Sequence, residues 1–214
     1  MIKLYNDELS GNCYKLRLFM SLIGLPYERV PVNFYPGREH KDEAFLRINS
    51  FGQLPVVDDE GYVLRDAQAI LVYLATRHDP TQRWFPSDAQ VRGRVALWLS
   101  VAEDITRSAS AARLHDTFAY PFDIKACRDT AHTLFAHIED HLADGEIEGR
   151  GWLADNTPTI ADVACFPYVA LAPEGGIMLA HYPALRRWIQ RVKALPNFIG
   201  MPGIFAAGID PQPC

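Results

Sequence analysis

The sequence predicts a small α/β domain joined to an all-helical one. A strand, a helix and a second strand are crowded into residues 2–32, a hairpin pattern occupies 55–64, and strand signals vanish beyond residue 87 while helical apolar spacing continues.

Residues 2–5 (IKLY) make the first strand. After the loop NDELSGN, Leu16, Phe19, Met20 and Ile23 recur at helical spacing, and Gly24 with Pro26 stops that helix. Residues 27–32 (YERVPV) alternate as a second strand, and so short a unit predicts a right-handed connection between parallel strands. Pro36-Gly37 marks 33–43 as a loop, AFLRIN (44–49) suits a short helix, and PVVDDEGYVL (55–64) places two apolar runs around Asp-Asp-Glu-Gly. Asp66 then opens a helix with Ala67, Ile70, Leu71 and Leu74 on one face.

The two prolines of HDPTQRWFPS break the pattern and read as a linker. The expected domains are residues 1–78 and 88–214, with 79–87 as the linker. Ser87 is placed to cap a long helix over 88–114, and a second helix covers about 123–143. A third starts at Thr159, where Asp162 can reach back to the cap amide, and ALRRWIQRVKAL is a fourth. The tail from Pro196 is rich in Gly and Pro and shows no pattern.

With 214 residues, 49% hydrophobic and 22% charged, the chain can build two cores of ordinary composition. Its net charge of −5 repels a phosphate backbone on average, so no nucleic acid is expected as a partner. No stretch approaches the roughly 20 apolar residues of a membrane span, and MIKLYNDELSGN lacks a signal-peptide run; the expectation is a cytoplasmic protein with no membrane partner. Cys13, Cys127, Cys165 and Cys214 form no CxxC or zinc-like spacing and are expected as free thiols.

The default ligand site is the cleft between the domains. In SGNCYKLRL (10–18), Ser10 can cap the helix or donate a hydrogen bond to an anion near the positive helix end; Cys13 can be a low-pKa thiol or a small core residue. In GQLPVV, Leu54-Pro55 can be an ordinary trans strand start or a cis bond that turns the Leu54 backbone outward to pair with an extended peptide. Asp66 can be a plain cap, or can meet a ligand ammonium while the free N–H groups of the helix start take a carboxylate, which suits a zwitterionic amino-acid group. His40-Lys41 can meet another carboxylate or lie in a solvated loop. HIEDH (137–141) spaces two histidines for a metal, but Glu139 is misplaced for a zincin and no third ligand is evident; a solvated helix face and no metal are expected.

SGNCYKLRL, GREHKDEAFLRINSFGQLPVV, LRDAQAILVYLA and TPTIADVACF together resemble the glutathione transferase superfamily, in its order and spacing, along nearly the whole chain. Serine-type bacterial, theta-, phi- and nu-like branches are the most similar. The resemblance implies a thioredoxin-like first domain, a helical second domain, glutathione as co-substrate, a small-molecule electrophile and a homodimer. It also implies a detoxifying transferase in which Ser10 holds the thiolate while Asn12 shapes the loop. Leu54, before cis-Pro55, would pair with the cysteinyl unit, Gln53 would lie near the tripeptide, His40 and Lys41 would face the glycine carboxylate, and Asp66 and Ala67 would hold the γ-glutamyl end. Leu9, Phe34, Ile105, Ser108 and Ala112 would line the electrophile pocket. Ala67 departs from the usual serine, which favours a weakly binding relative as the alternative; Asn49-Ser50 departs from the frequent Asn-Pro. Thiol–disulfide chemistry through Cys13 is a third possibility.

Overall fold

The computed structural model describes residues 1–207, so Cys214 and the end of the tail lie outside it. The first domain contains β1 (Ile2–Asn6), α1 (Gly11–Leu22), β2 (Tyr27–Pro31), α2 (Glu43–Ile48), β3 (Val56–Asp59), β4 (Tyr62–Arg65) and α3 (Ala67–His78). One sheet orders the strands β2-β1-β3-β4. β1 and β2 are parallel, with Ile2 opposite Tyr27, whereas β3 is antiparallel to both β1 and β4. This mixed sheet is the thioredoxin-like arrangement. Gly24, at φ +66°, ends α1 in a conformation that costs a side-chain-bearing residue more, and the Leu25 N–H donates back to Met20 O at 2.8 Å.

The second domain is helical: α4 (Ala89–Ile105), α5 (Ala111–Phe118), α6 (Ile124–Ile147), α7 (Ile160–Ala170) and α8 (Pro183–Lys193). Two boundaries differ from the sequence reading. Asp88, not Ser87, caps α4, its carboxylate accepting from Val91 N at 2.9 Å; an anion suits that helix end better than a hydroxyl. The expected single helix over 88–114 is two helices joined by a wide π-helical turn, Thr106–Ser110. The connection between the domains is fastened to both. Asp79 accepts from Trp84 N at 3.0 Å, the Trp84 ring lies edge-on to Phe19 at 5.6 Å, and Trp84 O accepts from Ile160 N at 2.9 Å.

Helix α7 is the centre of the molecule, buried from Ile160 to Val169 and packed on both α1 and α4. Its start is the expected capping box. Buried Asp162 accepts from Thr159 N (2.9 Å), Leu153 N (3.0 Å) and Trp188 Nε1 (2.9 Å), which ties α7, the preceding loop and α8 to one carboxylate. The HIEDH stretch is solvated at His137 and Asp140, as expected, but Glu139 and His141 are engaged with other elements. Glu139 accepts from Ala184 N and Leu185 N, each at 2.8 Å, and so caps α8 from another helix, while His141 Nε2 meets Leu153 O at 2.8 Å and its ring packs on Trp98. Among the described residues no His, Cys, Asp or Glu cluster is arranged to hold a metal, and no helix is long and apolar enough to cross a membrane.

Replacing Asp162 with Ala would leave several buried donors without an acceptor. The expected loss is about 3 kcal/mol or more of unfolding free energy. Urea denaturation of the two proteins measures it, and a difference under about 1 kcal/mol would show that the box does not hold the domain together.

Candidate active site

A cavity of about 460 Å³ opens between the domains. Its floor starts at the loop between β1 and α1. Buried Arg17 clamps that loop: its guanidinium donates to Asn6 Oδ1 at 3.1 Å and Glu8 O at 3.0 Å and pairs with the Glu8 carboxylate. From the helical domain, Arg113 Nη1 donates to Leu9 O at 2.9 Å. Ser10, held by this loop, caps α1 by accepting from Cys13 N at 3.2 Å. Capping uses the oxygen as acceptor and leaves the hydroxyl proton free to donate into the cavity, where Leu9, Ser10 and Asn12 form part of the wall.

Gln53, Leu54, Pro55, Asp66 and Ala67 make the opposite wall. The Leu54–Pro55 peptide is cis, as is Tyr35–Pro36, which the sequence reading did not anticipate. The loop before Leu54 is built on buried Asn49, which donates to Gln53 O at 2.8 Å and accepts from Phe51 N at 3.1 Å. Gly52, at φ +56°, leaves no room for a Cβ, which would lie 2.7 Å from His40 O. Asp66 caps α3 by accepting from Ala69 N at 2.9 Å, and it does so at φ +76°, a backbone region unfavourable for a residue with a side chain. Such a cap is held by its surroundings, and that kind of held backbone clusters at functional sites.

Five expected site residues differ in placement. His40 and Lys41 are not in the cavity wall. His40 is buried and stacks on Phe34, which does line the cavity, with centroids 4.1 Å apart. Burial, then the charges of Lys41 and Arg38, hold its imidazole below the usual range, so it is neutral near pH 7. Lys41 donates to Gly52 O at 2.8 Å and braces the Gln53–Pro55 loop from behind. Ile105, Ser108 and Ala112 lie in the core, not in the pocket; Ala112 packs where a Cβ on Gly175 would come within 3.0 Å. The π turn shifts the helix face, so Thr106, Ser110, Ala111, Leu114 and Phe118 meet the cavity instead.

Cys13 is fully buried, and loss of solvation raises its thiol to about 11 despite the Ser10 contact. It is a core residue rather than a reactive thiol. Sequence reasoning missed Tyr35, Gln68, Glu103, Arg113 and Tyr168, all in the wall. Gln68 adjoins Asp66-Ala67 and was within reach of a local argument. Tyr168 was not: its hydroxyl accepts from Asn12 N at 3.2 Å, 156 residues away in the chain. The result is a cleft with a hydroxyl donor and a capped helix start on each side, and an aromatic mouth where Tyr35 meets Phe118 at 4.6 Å.

Two family profiles match this chain: "Glutathione S-transferase, N-terminal domain" over residues 1–76 and "Glutathione S-transferase, C-terminal domain" over 109–191. Maleylacetoacetate isomerase of Pseudomonas aeruginosa is 31% identical over 92% of this chain and 93% of its own length. Human glutathione S-transferase theta-2B is 30% identical over 90% of this chain and 81% of its own length. Among solved structures, a glutathione S-transferase from Pseudomonas fluorescens superposes with a TM-score of 0.85 at 30% identity, covering 94% of this chain and 98% of that one.

Proposed function

The chain belongs to the glutathione S-transferase superfamily, and from that premise we propose that this enzyme binds reduced glutathione in the interdomain cleft and turns its thiolate, held by Ser10, on a small hydrophobic electrophile or a peroxide. The observation that carries the reading is that Ser10, Gln53, Leu54, Pro55, Asp66 and Ala67 converge on one cavity.

The tripeptide would lie extended along the Gln53–Asp66 wall, its cysteinyl backbone paired with Leu54. Asp66 has one carboxylate oxygen committed to Ala69 N and another free for the γ-glutamyl ammonium. The first N–H groups of α3 take the γ-glutamyl carboxylate, with no hydroxyl from Ala67 to help. At the other end Lys41, committed to Gly52 O behind the loop, would act on the glycine carboxylate by its charge and not by direct contact, and His40 is neutral. Asn12 fixes the loop through Tyr168.

A free thiol titrates near 8.5, so little thiolate exists at pH 7. The Ser10 hydrogen bond and the start of α1 favour the charged form; about 2.7 kcal/mol of differential stabilisation lowers the thiol pKa by about two units. The sulfur then forms a bond to the electrophilic carbon as the leaving group departs with its electron pair. With a peroxide, the sulfur takes one oxygen as the O–O bond breaks, and a second glutathione completes the reduction. Leu9, Phe34, Leu114 and Phe118 give the acceptor an apolar seat.

We also assign a homodimer, pairing the α/β domain of one subunit with the helical domain of the other. Phe51 on the first domain and Leu97 on the second are each 57% exposed, and the Phe51 ring is held under the Arg65 guanidinium at 3.5 Å. Sedimentation should give twice the chain mass, and Phe51→Asp should give the monomer.

Ser10→Ala should lower kcat/KM for conjugation by about ten- to a hundredfold, the worth of one hydrogen bond to a charged group, and shift the bound thiol's titration upward. Cys13→Ser should leave activity within about twofold. Full activity in the serine variant, or loss in the cysteine variant, would reverse the assignment of the two residues. Ala67→Ser should tighten glutathione binding by about ten- to a hundredfold in calorimetry. Absence of binding to either form would leave a fold without this ligand.

A further inference from the structure

Lys15 is an unusual residue for the middle of a core helix. It is fully buried, its Nζ has no hydrogen-bond partner, and it sits 5.4 Å from the centre of the Tyr168 ring, the same ring that lines the cavity. Two further buried polar atoms without a partner, Asn12 Oδ1 and Gln68 Oε1, belong to residues of the cavity wall. The groups that act on Lys15 or touch it come from three elements: Cys165 and Tyr168 from α7, Glu103 from α4, and Asp66 at the start of α3.

The charges at this end of the cleft otherwise oppose the ligand. Asp66 and Glu103 both line the cavity; Glu103 is paired with Arg107, so Asp66 is the negative group that an incoming carboxylate meets without a cation beside it. Arg107 is engaged with Glu103, and Arg113 with Glu174. Ala67 supplies no hydroxyl. Among the described residues, Lys15 is the buried cation without a partner that can offset Asp66.

We propose that Lys15 is a positioning residue for the anionic end of the ligand: its ammonium, held against the Tyr168 ring behind the cavity wall, balances the carboxylate bound at the α3 N–H groups and makes up for the hydroxyl that Ala67 lacks. The proposal rests on the glutathione reading above and extends it to a residue that touches neither cavity nor ligand.

Burial lowers the Lys15 amine to about 8, against the opposing influence of Cys165, Glu103 and Asp66. The Cys165 thiol is itself pushed well up by burial and stays neutral. Only the ammonium form attracts the ligand carboxylate. The contribution is therefore complete below about pH 7, and it fades as pH rises through 8.

The test uses S-methylglutathione, whose blocked thiol removes the sulfur's own titration, and calorimetry between pH 6.5 and 9. The native protein should bind about tenfold tighter than Lys15→Met at pH 6.5, with the advantage gone by about pH 9. Lys15→Arg, charged throughout, should keep it. A second ligand, the analogue with γ-aminobutyrate in place of the γ-glutamyl residue, lacks that one carboxylate; in the native-to-Lys15→Arg ratio, where the ligand ammonium's own titration cancels, the step near pH 8 should disappear with it. A native-to-variant ratio that does not change with pH, or an equal step for both ligands, overturns the Lys15 assignment alone. Failure of the native protein to bind S-methylglutathione at any pH overturns the glutathione reading, and this one with it.

Discussion

The molecule depends on a carboxylate buried without a cation. Asp162 is accessible to almost no solvent, and only hydrogen bonds from Thr159, Leu153 and Trp188 compensate it. Burying a charge is expensive unless its lone pairs are satisfied, so the three donors cannot drift from it without cost. That fixes where α7 begins. Everything on the cleft side is then stacked on α7: α4 and α1 pack on it, and Tyr168 near its end touches the site directly. A Cβ added at Gly11 would lie 2.5 Å from the Tyr168 ring, so α1 approaches α7 at a distance that only glycine allows at that position. The Ser10 hydroxyl is thus placed by a helix in the other domain.

The loop carrying Ser10 shows the same division of labour. Arg17, from within the first domain, and Arg113, from the second, hold the backbone on the two sides of Leu9. Neither arginine is free to act as a mobile charge, because each is also engaged with a glutamate. The cleft is braced from both domains at the Ser10 end and more open at the other, where Tyr35 and Phe122 are exposed. Apolar aromatic walls of that kind fix the plane of a substrate better than its identity.

Most of the fold was legible in the sequence because it is written locally. The period-2 and helical patterns, Gly24 as a stop, the hairpin and the Thr159–Asp162 box each need only a few neighbouring residues. So were Ser10 and Asp66 as helix caps, which each accept from a backbone N–H of the first turn. The acceptor side was not legible. The Ser/Ala run 108–112 suits a regular helix, and nothing in it announces a π turn, so the face assigned to the pocket was the one that packs into the core. Glu139 illustrates the other limit: its role is to cap a helix that starts 44 residues later, an arrangement no spacing rule contains.

The net charge of −5 and the proposed anion site in the same chain are reconciled by where the positive character would come from. Two helix starts, α1 at Ser10 and α3 at Asp66, open onto one cavity. Each presents backbone N–H groups and the positive end of a helix dipole, which needs no net charge in the composition. An anion between them is stabilised by groups already oriented before it arrives, so little is lost in reorganisation. Asp66 prevents the same end from accepting any anion at all, because a bare phosphate or sulfate would meet its carboxylate without an ammonium to offset it. On the proposed reading, selectivity for a zwitterionic end and stabilisation of a thiolate would both follow from one arrangement, in which the second helix is capped by an acid and the first by a hydroxyl.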